Sequence, residues 1–574
     1  MPRNAGLRRG LFLNLNPALN LNSPPNDGGT KRKLKIASKS VNPAGFRAVF
    51  VGFLCFVVQD SPAADFTVLK PAAFAHHVEK FNAMEAENVT NAIPNAASWR
   101  WLQQEIPFFA CPDEEVEEIY YFRWWSFRKH LQPTPKGFVI TEFLTPVSHA
   151  GEFNTISCAA GFHLAEGRWL RDDRYLNDYT RFWLRGNNGK PQPHFHKFSS
   201  WFAAAAYERY LVNGDKKFLV NLLPDLVADY RAWEKERQLP NGLFWQYDVA
   251  DGMEESISGS RTNKNIRPTI NSYMFANARA IADIARLANQ PKLAGEFTAK
   301  AAALQRLSQA RLWDAEAQFF KTLVPSVTSD SYVPSTAREL IGFIPWQFSL
   351  PEPGHGYEAA WDQLTDPRGF SAPFGLTTAE RRHPRFRSHG IGTCEWDGAV
   401  WPFATSQTLY ALANHLRASP ADSLPPGGGA GQGEGAARIS SRAYLSSFLT
   451  YTRSQRANGK PFIGEYLDET TGDWINRNSR SAYYNHSTYA DLLITGVIGL
   501  RPRADDTVEL HPLLPPDTWN WFCLDGVKYH GRTLTILWDK DGTRYGRGAG
   551  LRVLANGKRI AESAQLGRIT GRLP

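Results

Sequence analysis

The stretch Asp251-Gly252-Met253-Glu254-Glu255-Ser256-Ile257-Ser258-Gly259 places three acidic side chains within five residues. It follows the aromatic run Phe244-Trp245-Gln246-Tyr247 and precedes a helical pattern that begins near Arg267. A loop between helices that is this rich in carboxylates makes a poor core and a good wall for a polar ligand. The stretch therefore predicts a helical fold whose loops carry a polar site, although a solvated acidic loop would have the same composition.

A second acidic stretch is Gly464-Glu465-Tyr466-Leu467-Asp468-Glu469-Thr470-Thr471-Gly472. Its last five residues are typical of a surface turn, but Glu465 offers a carboxylate that could face the first stretch. Two separated acids suit hydrolysis of a glycosidic bond, because one protonates the leaving oxygen and the other activates water.

Helical periodicity dominates most of the chain. Between 218 and 233, apolar residues stand at 219, 222, 223, 226, 227, 230 and 233, which is the spacing of one buried helical face. We predict helices over 124–130, 199–212 (capped by its serines), 218–233, 268–288, 292–312, 358–364, 401–416, 438–451 and 484–494. Helix pairs joined by long irregular loops favour a toroid of helical hairpins, with the chemistry in the loops at one end.

Two segments depart from this helical pattern. The Pro- and Gly-rich residues 418–437 predict a flexible insertion that interrupts the helical domain, taken as 65–502, without ending it. After Pro502 the residues 507–510, 533–538 and 551–561 alternate like strands, and Asn556-Gly557 indicates a tight hairpin. We expect a small β domain over about 503–574 that packs on the helices.

Composition limits the classes of partner. The 574 residues are 43% hydrophobic and 21% charged, as in ordinary globular proteins, but include 18 Trp, 20 Tyr and 35 Phe. Aromatic faces can stack on sugar rings, so this richness favours a carbohydrate site. Much of the net charge of +9 lies near the N-terminus, so no nucleic-acid binding is expected. The five cysteines show no zinc spacing and no disulfide framework, which leaves a single bridge among Cys111, Cys158, Cys394 and Cys523 open, and no cofactor is expected.

The N-terminal residues suggest a targeting segment. Residues 1–43 are typical of disorder, and 1–64 as a whole predict a leader. Within it, Arg47 precedes the apolar run 48–58, and small residues follow near Ala64, which indicates a signal peptide. The run is too short for a stable membrane span. We expect a secreted or periplasmic protein if the segment acts as a signal, and a cytoplasmic one otherwise. The oligomeric state is not indicated.

Three segments carry a family resemblance. They are Gly252-Met253-Glu254-Glu255-Ser256, Glu395-Trp396-Asp397-Gly398-Ala399-Val400-Trp401-Pro402, and Glu465 to Gly472. In this order they resemble landmarks of the six-hairpin glycosidases related to mannosylglycerate hydrolase, processing glucosidase I and trehalase. The resemblance covers most of residues 100–500 and implies an (α/α)6 toroid and inverting hydrolysis, with the small β domain following.

The same resemblance implies roles for the acids. By position, the general acid falls on Glu254 and the general base on Glu465. Glu254 stands where the family usually has Asp, and Asp251 is a second candidate for the proton donor. The middle segment lacks the Arg of the family's Trp-Arg-Gly-Pro, which speaks against a substrate that carries a carboxylate.

Aromatic and polar side chains near these segments are candidates for substrate binding. Trp396 and Trp401 would stack on sugars, unless Trp401 belongs to the core, and Asp397 would accept hydrogen bonds from sugar hydroxyls. The other substrate-binding candidates are Trp245, Gln246, Tyr466, Arg128 and His486. Weaker ones are His194, His196, Arg261, Arg267, Asn271, Tyr273 and Asn485, and we expect no metal at the two histidines.

Exo-acting hydrolysis of an oligo- or polysaccharide is the leading hypothesis, and other classes remain open. A phosphorylase of this shape would need a large N-terminal β domain, for which the residues before Trp99 leave too little chain. A polysaccharide lyase would use a Tyr/His pair, for which His149 and Tyr483 are available. A non-catalytic carbohydrate-binding protein would keep the aromatic residues without aligned acids. The sugar and the linkage are not indicated.

Overall fold

The computed structural model describes residues 66–89, 91–390, 394–418, 439–475 and 480–574. The predicted leader, its apolar run 48–58 and all but the first residue of the predicted insertion 418–437 lie outside the described residues. None of the described helices is long and apolar enough to cross a bilayer.

Fourteen α-helices are found in the described residues. They are α1 (Ala75–Met84), α2 (Asn95–Glu105), α3 (Glu114–Phe127), α4 (Ala160–Gly167), α5 (Arg174–Arg185), α6 (Phe202–Asn213), α7 (Lys216–Arg237), α8 (Pro268–Leu287), α9 (Pro291–Leu312), α10 (Ile344–Gln347), α11 (Asp362–Thr365), α12 (Pro402–Ala418), α13 (Ser441–Ser454) and α14 (Ala490–Leu492). Helix α14 continues as a π-helical turn, Leu493–Val497.

Helices α3 to α14 form six consecutive pairs that build a ring. The even-numbered helices pack in order, α4 on α6, α6 on α8, α8 on α10, α10 on α12 and α12 on α14. Helix α14 then packs on α4 and closes the ring. Odd-numbered helices pack on this ring, with α5 on α4, α7 on α6 and α8, α9 on α8, and α13 on α12. The arrangement is a toroid of six helical hairpins.

The long connections of the ring all meet at one end. Each connection from an odd-numbered to the following even-numbered helix leads to the N-terminus of a ring helix, so these six connections lie together. They include residues 128–159, 238–267, 366–401 and 455–489. The acidic stretches of the sequence fall on these connections. That these loops carry the chemistry stays a prediction.

Helix α7 follows the predicted pattern closely. All seven predicted apolar positions between Leu219 and Trp233 are buried, because they share the face that packs on α6 and α8. Two predictions are wrong. Ser199 and Ser200 do not cap α6, whose N-cap is Trp201. Residues 484–489 are not helical, because hydrogen bonds with other parts of the ring hold them.

The C-terminal residues form the predicted β structure. A three-stranded sheet has the order β12 (Leu500–Arg501), β13 (Thr507–Leu510) and β18 (Ile569–Arg572). A five-stranded antiparallel sheet has the order β1 (Phe108–Ala110), β14 (Trp521–Tyr529), β15 (Arg532–Asp539), β16 (Gly550–Ala555) and β17 (Lys558–Ser563). Strand β1 precedes the ring in the chain, so the sheet joins both ends of the described fold.

Short β-hairpins lie on the connections between the helices. They are β2 (Leu131–Thr134) with β3 (Gly137–Ile140), β4 (Trp313–Asp314) with β5 (Phe319–Phe320), β6 (Leu323–Pro325) with β7 (Tyr332–Pro334), β8 (Ser371–Ala372) with β9 (Gly375–Leu376), and β10 (Arg456–Ala457) with β11 (Lys460–Pro461). The cysteines Cys111, Cys158, Cys394 and Cys523 are all free thiols.

Candidate active site

Backbone hydrogen bonds bring the three acidic segments together. Val400 pairs with Leu467 through two hydrogen bonds of 3.0 Å, which places Trp401 beside the Glu465 segment. On the other side, the Glu255 carboxylate accepts a 2.9 Å hydrogen bond from the backbone N–H of Cys394. The three segments that the sequence singled out are therefore one structural unit.

The loop that carries Glu254 is shaped by Asp248 and two glycines. The Asp248 carboxylate accepts from the backbone N–H of Val249 at 2.7 Å and from that of Glu255 at 3.3 Å. Gly252 has φ of 68°, and a Cβ there would lie 2.5 Å from Cys158 Sγ. A Cβ on Gly259 would lie 2.7 Å from Asp248 Oδ2, so this tight loop needs both glycines.

Asp251 lies beneath the loop in a buried ion pair. Its Oδ2 is 2.6 Å from Arg267 Nε, and Thr269 donates a second hydrogen bond to the same oxygen. Both charged side chains are fully buried. A carboxylate that is neutralised and enclosed in this way fixes the loop to the start of α8.

Glu254 has a different environment. It is half-buried, and its side chain makes no hydrogen bond or ion pair with any other described residue. Burial, followed by the charges of Glu465 and Asp248, raises the pKa of Glu254 to about 7, while Arg261 opposes the shift. A carboxyl with this pKa is partly protonated at neutral pH and can donate a proton.

Glu465 is held by a cation and a hydroxyl. Its Oε2 lies 3.0 Å from the Arg480 guanidinium and accepts a 3.0 Å hydrogen bond from Ser481. The Arg480 guanidinium also lies over the ring of Phe143, 5.3 Å from its centroid. These contacts stabilise the ionised carboxylate.

A third carboxyl, that of Glu142, lies next to Glu254 and Glu465. It is buried, and Tyr484 donates a hydrogen bond to its Oε1. Burial raises the pKa of Glu142 to about 8, with contributions from the charges of Glu465 and Glu254. The site thus gathers three carboxyls that influence one another.

The middle segment, around Glu395 and Asp397, is tied to neighbouring residues by ion pairs and hydrogen bonds. Arg387 lies 2.5 Å from the buried Glu395 carboxylate and 2.7 Å from that of Glu469, so it joins two of the three segments. Cys394 lies among the acids, and burial, then Glu254 and Glu465, raise the pKa of its thiol to about 12. Asp397 accepts hydrogen bonds from the backbone and ring of His389 at 3.0 and 2.8 Å.

The predicted aromatic platform is a buried stack. Trp401 stacks on Trp396 with ring centroids 4.4 Å apart, and on Tyr466 with centroids 4.7 Å apart. All three side chains are buried. Trp401 also contacts His486, whose pKa burial lowers. The stack therefore forms the wall behind Glu465, and its central ring has no face left for a sugar.

Other sequence candidates lie in structural roles. Trp245 is covered by Arg237 and Lys264 at 4.6 and 5.0 Å from its ring centroid. Gln246 is fully buried and donates to Ser199. The structure does not bring Arg128 to the acids, because it binds the backbone of Ile93 and the side chain of Asn95.

The weaker candidates divide in the same way. Arg261 is exposed near Glu254, and Asn485 binds the backbone beside Glu142. His196 is ion-paired with Asp229 and Glu236 on helix α7. His194 is exposed next to Gly151, whereas Arg267, Asn271 and Tyr273 are buried in the ring. The lyase candidates His149 and Tyr483 contact different aromatic residues, Phe143 and Trp125.

Sequence reasoning did not assign Glu142, Arg480, Ser481, Tyr484 and Cys394 to the site. Four of them flank the predicted motifs, so proximity along the chain was an available signal. Glu142 offers only the weak signal of an acid two residues beyond strand β3, whose last two residues are buried.

Among the described residues, no group of three or more His, Cys, Asp or Glu side chains is arranged to hold a metal ion. A cavity of about 170 Å³ lies at the C-terminal ends of the ring helices, opposite the acids. The ion pair between Arg168 and Glu208, at 3.4 Å, lines that cavity.

Comparisons with known proteins agree with this architecture. A chain named "Sialidase" is 49% identical, with a TM-score of 0.83, over 88% of this chain and 45% of its own length. This chain therefore spans less than half of that relative. A family 78 rhamnosidase of Bacillus sp. GL1 is 13% identical, with a TM-score of 0.52, over 78% of this chain and 41% of its own, and shares the fold.

Two domain families match the sequence. Residues 500–561 match the glycosyl hydrolase family 65 C-terminal domain, which agrees with the β structure there. Residues 152–487 match the mannosylglycerate hydrolase MGH1-like glycoside hydrolase domain. The predicted fold class, an (α/α)6 toroid with a small C-terminal β domain, is confirmed. Because the second match spans more than half of its length, the chain belongs to the MGH1-like family of glycoside hydrolases.

Proposed function

We propose that the chain is an inverting, exo-acting glycosidase in which Glu254 protonates the leaving oxygen and Glu465 activates the attacking water. The observation that carries this proposal is the contrast between the two carboxyls. Glu254 makes no side-chain hydrogen bond or ion pair with another described residue and has a pKa of about 7, whereas Arg480 and Ser481 hold the carboxylate of Glu465 by an ion pair and a hydrogen bond. Pairs of acids with environments this different suit an acid and a base.

The ion pair of Asp251 supports Glu254 as the proton donor. Arg267 and Thr269 both bind Oδ2 of Asp251 away from solvent, so an ion pair and a hydrogen bond already occupy this carboxylate. A general acid must carry a proton and reach the substrate oxygen. Glu254 fits both demands better, since it is half-buried and borders the same group of acids as Glu465.

Exo action is supported by the depth of the acids. Glu465 and Glu142 are 7% and 5% exposed and lie where the long connections of the ring meet. The end of a sugar chain can enter such a site more easily than its middle. Of the cations near the acids, Arg480 and Arg387 are engaged by Glu465 and Glu395, and Arg261 is exposed, so we propose a neutral sugar for the cleaved unit.

The test is release of sugar from aryl α-glucosides, α-mannosides, α-rhamnosides and α-arabinosides and from oligosaccharides, with product anomers followed by NMR. A sialoside belongs in the panel because a relative is named "Sialidase". Glu254→Gln and Glu465→Gln should each lower kcat/KM by about 10³-fold or more. Glu296→Gln, a change on the outer helix α9, is the matched control and should leave it unchanged.

Inverted product from the wild-type protein alone would support the proposal. Product of retained configuration would contradict the roles assigned to the two acids. If no substrate is cleaved but wild type and Glu465→Gln both bind a polysaccharide column, the chain is a carbohydrate-binding protein instead.

A further inference from the structure

Glu142 is a buried acid for which the proposed reaction has no use. It lies two residues beyond the end of strand β3, and its backbone C=O accepts a 3.0 Å hydrogen bond from the N–H of Asn485. The Asn485 side chain also donates to the C=O of Thr141 at 3.2 Å. The backbone around Glu142 is therefore fixed to the segment that leads from Ser481 to α14.

The two oxygens of the Glu142 carboxyl have different surroundings. Tyr484 donates a hydrogen bond to Oε1. Oε2 is buried and makes no hydrogen bond with any described residue. A buried polar atom without a partner costs free energy, so its presence beside a ligand site calls for a partner supplied by the ligand.

The position of Glu142 places this atom at the site. The next residue, Phe143, lies under the Arg480 guanidinium that binds Glu465. Tyr484 packs edge-to-face against Phe143, with ring centroids 4.5 Å apart, and contacts His486 behind Glu465. Glu142 and Glu465 thus flank the same arginine.

We propose that Glu142 is a sugar-binding group of this site, a neutral carboxylic acid whose Oε2–H donates a hydrogen bond to a hydroxyl oxygen of the bound sugar. The inference rests on a sugar occupying the site, as in the proposed function, but not on its hydrolysis. Since Tyr484 already donates to Oε1, the proton belongs on Oε2. A neutral Glu142 also spares Glu465 a second adjacent negative charge.

The charged and titratable groups around Glu142 allow this state. Burial, with Glu465 and Glu254, raises the pKa of Glu142 to about 8, and Tyr484 and Arg480 oppose the shift. The pKa of the Cys158 thiol and that of the Tyr484 phenol are raised far above neutrality by burial, so both stay neutral. The pKa of Tyr179, another neighbour, is also raised by burial. The pKa of Glu254, about 7, lies close to that of Glu142.

The experiment measures sugar binding and not turnover, in a Glu254→Gln background that removes the second titration. Saturation-transfer NMR with D-glucose, D-mannose and L-rhamnose selects the probe, and calorimetry gives its Kd between pH 6 and 9.5. The affinity should be constant up to about pH 7.5 and fall about tenfold per unit above pH 8.

Three substitutions at the site give matched expectations. Glu142→Gln keeps a donor but cannot ionise, so the affinity should stay within about threefold of the parent at pH 6.5 and lose its pH dependence. Glu142→Leu should bind about tenfold more weakly at every pH. Tyr484→Phe removes a hydrogen bond that favours the anion, so the midpoint of the affinity loss should move to higher pH.

Infrared difference spectra between the parent and Glu142→Gln give a readout without ligand. They should show the carbonyl band of a protonated carboxyl at pH 6 and its loss above pH 8. Equal pH dependence of the parent and Glu142→Gln, or full affinity in a folded Glu142→Leu protein, would overturn the inference. Loss of kcat with unchanged Kd when Glu142→Gln is made in the wild-type protein, where Glu254 is present, would also overturn it, since Glu142 would then act as the proton donor.

The experiments distinguish a failure of the role proposed for Glu142 from a failure of the proposed function. A protein that binds the probe sugar with the expected pH dependence but cleaves nothing would keep the role of Glu142 and reject hydrolysis. A protein that cleaves with inversion but shows no effect of Glu142 would do the reverse.

Discussion

Arg267 Nε lies 2.6 Å from Asp251 Oδ2, and no part of either side chain is exposed. The removal of one partner from a buried ion pair leaves an uncompensated charge and costs about 3–5 kcal/mol. We therefore expect Asp251→Asn to lower the free energy of unfolding by that amount, as measured by urea denaturation.

Glu254→Gln is the matched variant for Asp251→Asn. Glu254 has no such partner, so its replacement should abolish turnover and leave the free energy of unfolding at pH 6 within about 0.5 kcal/mol. A stable but inactive Asp251→Asn protein, together with an active Glu254→Gln protein, would transfer the role of proton donor to Asp251.

The pKa of about 7 at Glu254 predicts the alkaline limb of the pH profile. A general acid works only in its protonated form, so kcat/KM should fall about tenfold per unit as the pH rises above 7. Arg261→Met removes a cation that lowers this pKa, and the limb should move to higher pH. Arg559→Met, on strand β17, is the control and should leave the limb in place. A shift to lower pH in Arg261→Met would contradict the assignment.

Gly252→Ala tests the close approach that shapes the loop of Glu254. The new Cβ would lie 2.5 Å from Cys158 Sγ at a φ of 68°. Gly189→Ala is the matched control, since its φ of 81° carries the same backbone strain with nothing within 4 Å. We expect Gly189→Ala to cost about 1 kcal/mol and Gly252→Ala about 2–4 kcal/mol by thermal denaturation, with lower kcat/KM. Cys158→Ala should restore part of the loss in the double variant. Equal losses in the two single variants would mean that Cys158 yields without cost.

Glu142 should also make stability depend on pH. Its folded-state pKa of about 8 lies above the ordinary value of 4.5, so its stabilising contribution is full below pH 4.5 and is lost as the pH rises through 8. The free energy of unfolding of the wild type, relative to Glu142→Gln, should therefore fall by up to about 1.4 kcal/mol per pH unit between these values. Chemical denaturation at pH 5, 7 and 9 measures this difference, and parallel curves would contradict it.

The parts of the fold that were predictable are those with local patterns. Helix α7 buries the predicted face because its apolar residues recur every three or four positions. Asn556 and Gly557 have φ of 48° and 76°, as their dipeptide predicts for a tight hairpin. Strand β14 was not predicted, because it is buried along nearly its whole length and its sequence does not alternate between apolar and polar residues. Residues 484–489 have a helical pattern, but Glu142, His163 and Glu166 bind their backbone groups.

The site was predictable where a motif names the residue and not where a contact decides its role. The structure brings the segments of Glu254 and Glu465 together, as the resemblance implied. The sequence did not reveal that Arg267 neutralises Asp251, nor that two cations cover Trp245, because these are contacts between side chains. Glu142 lies on the first long connection of the ring, and only closure of the ring brings it to the other acids.

Strand β1 lies near the start of the ring domain and pairs with β14, which lies about 400 residues later in the chain. This pairing affects the order in which the protein can fold during its synthesis. On the ribosome, Phe108–Ala110 emerge long before Cys523–Asp525, with which they pair. The backbone N–H groups of Val68 and Leu69 donate hydrogen bonds of 2.7 and 2.8 Å to the Asp525 carboxylate. These bonds, too, can form only after Asp525 has been synthesised. The nascent chain can form its helical hairpins in turn, but strand β1 must remain unpaired, and exposed to chaperones, until strand β14 has been made.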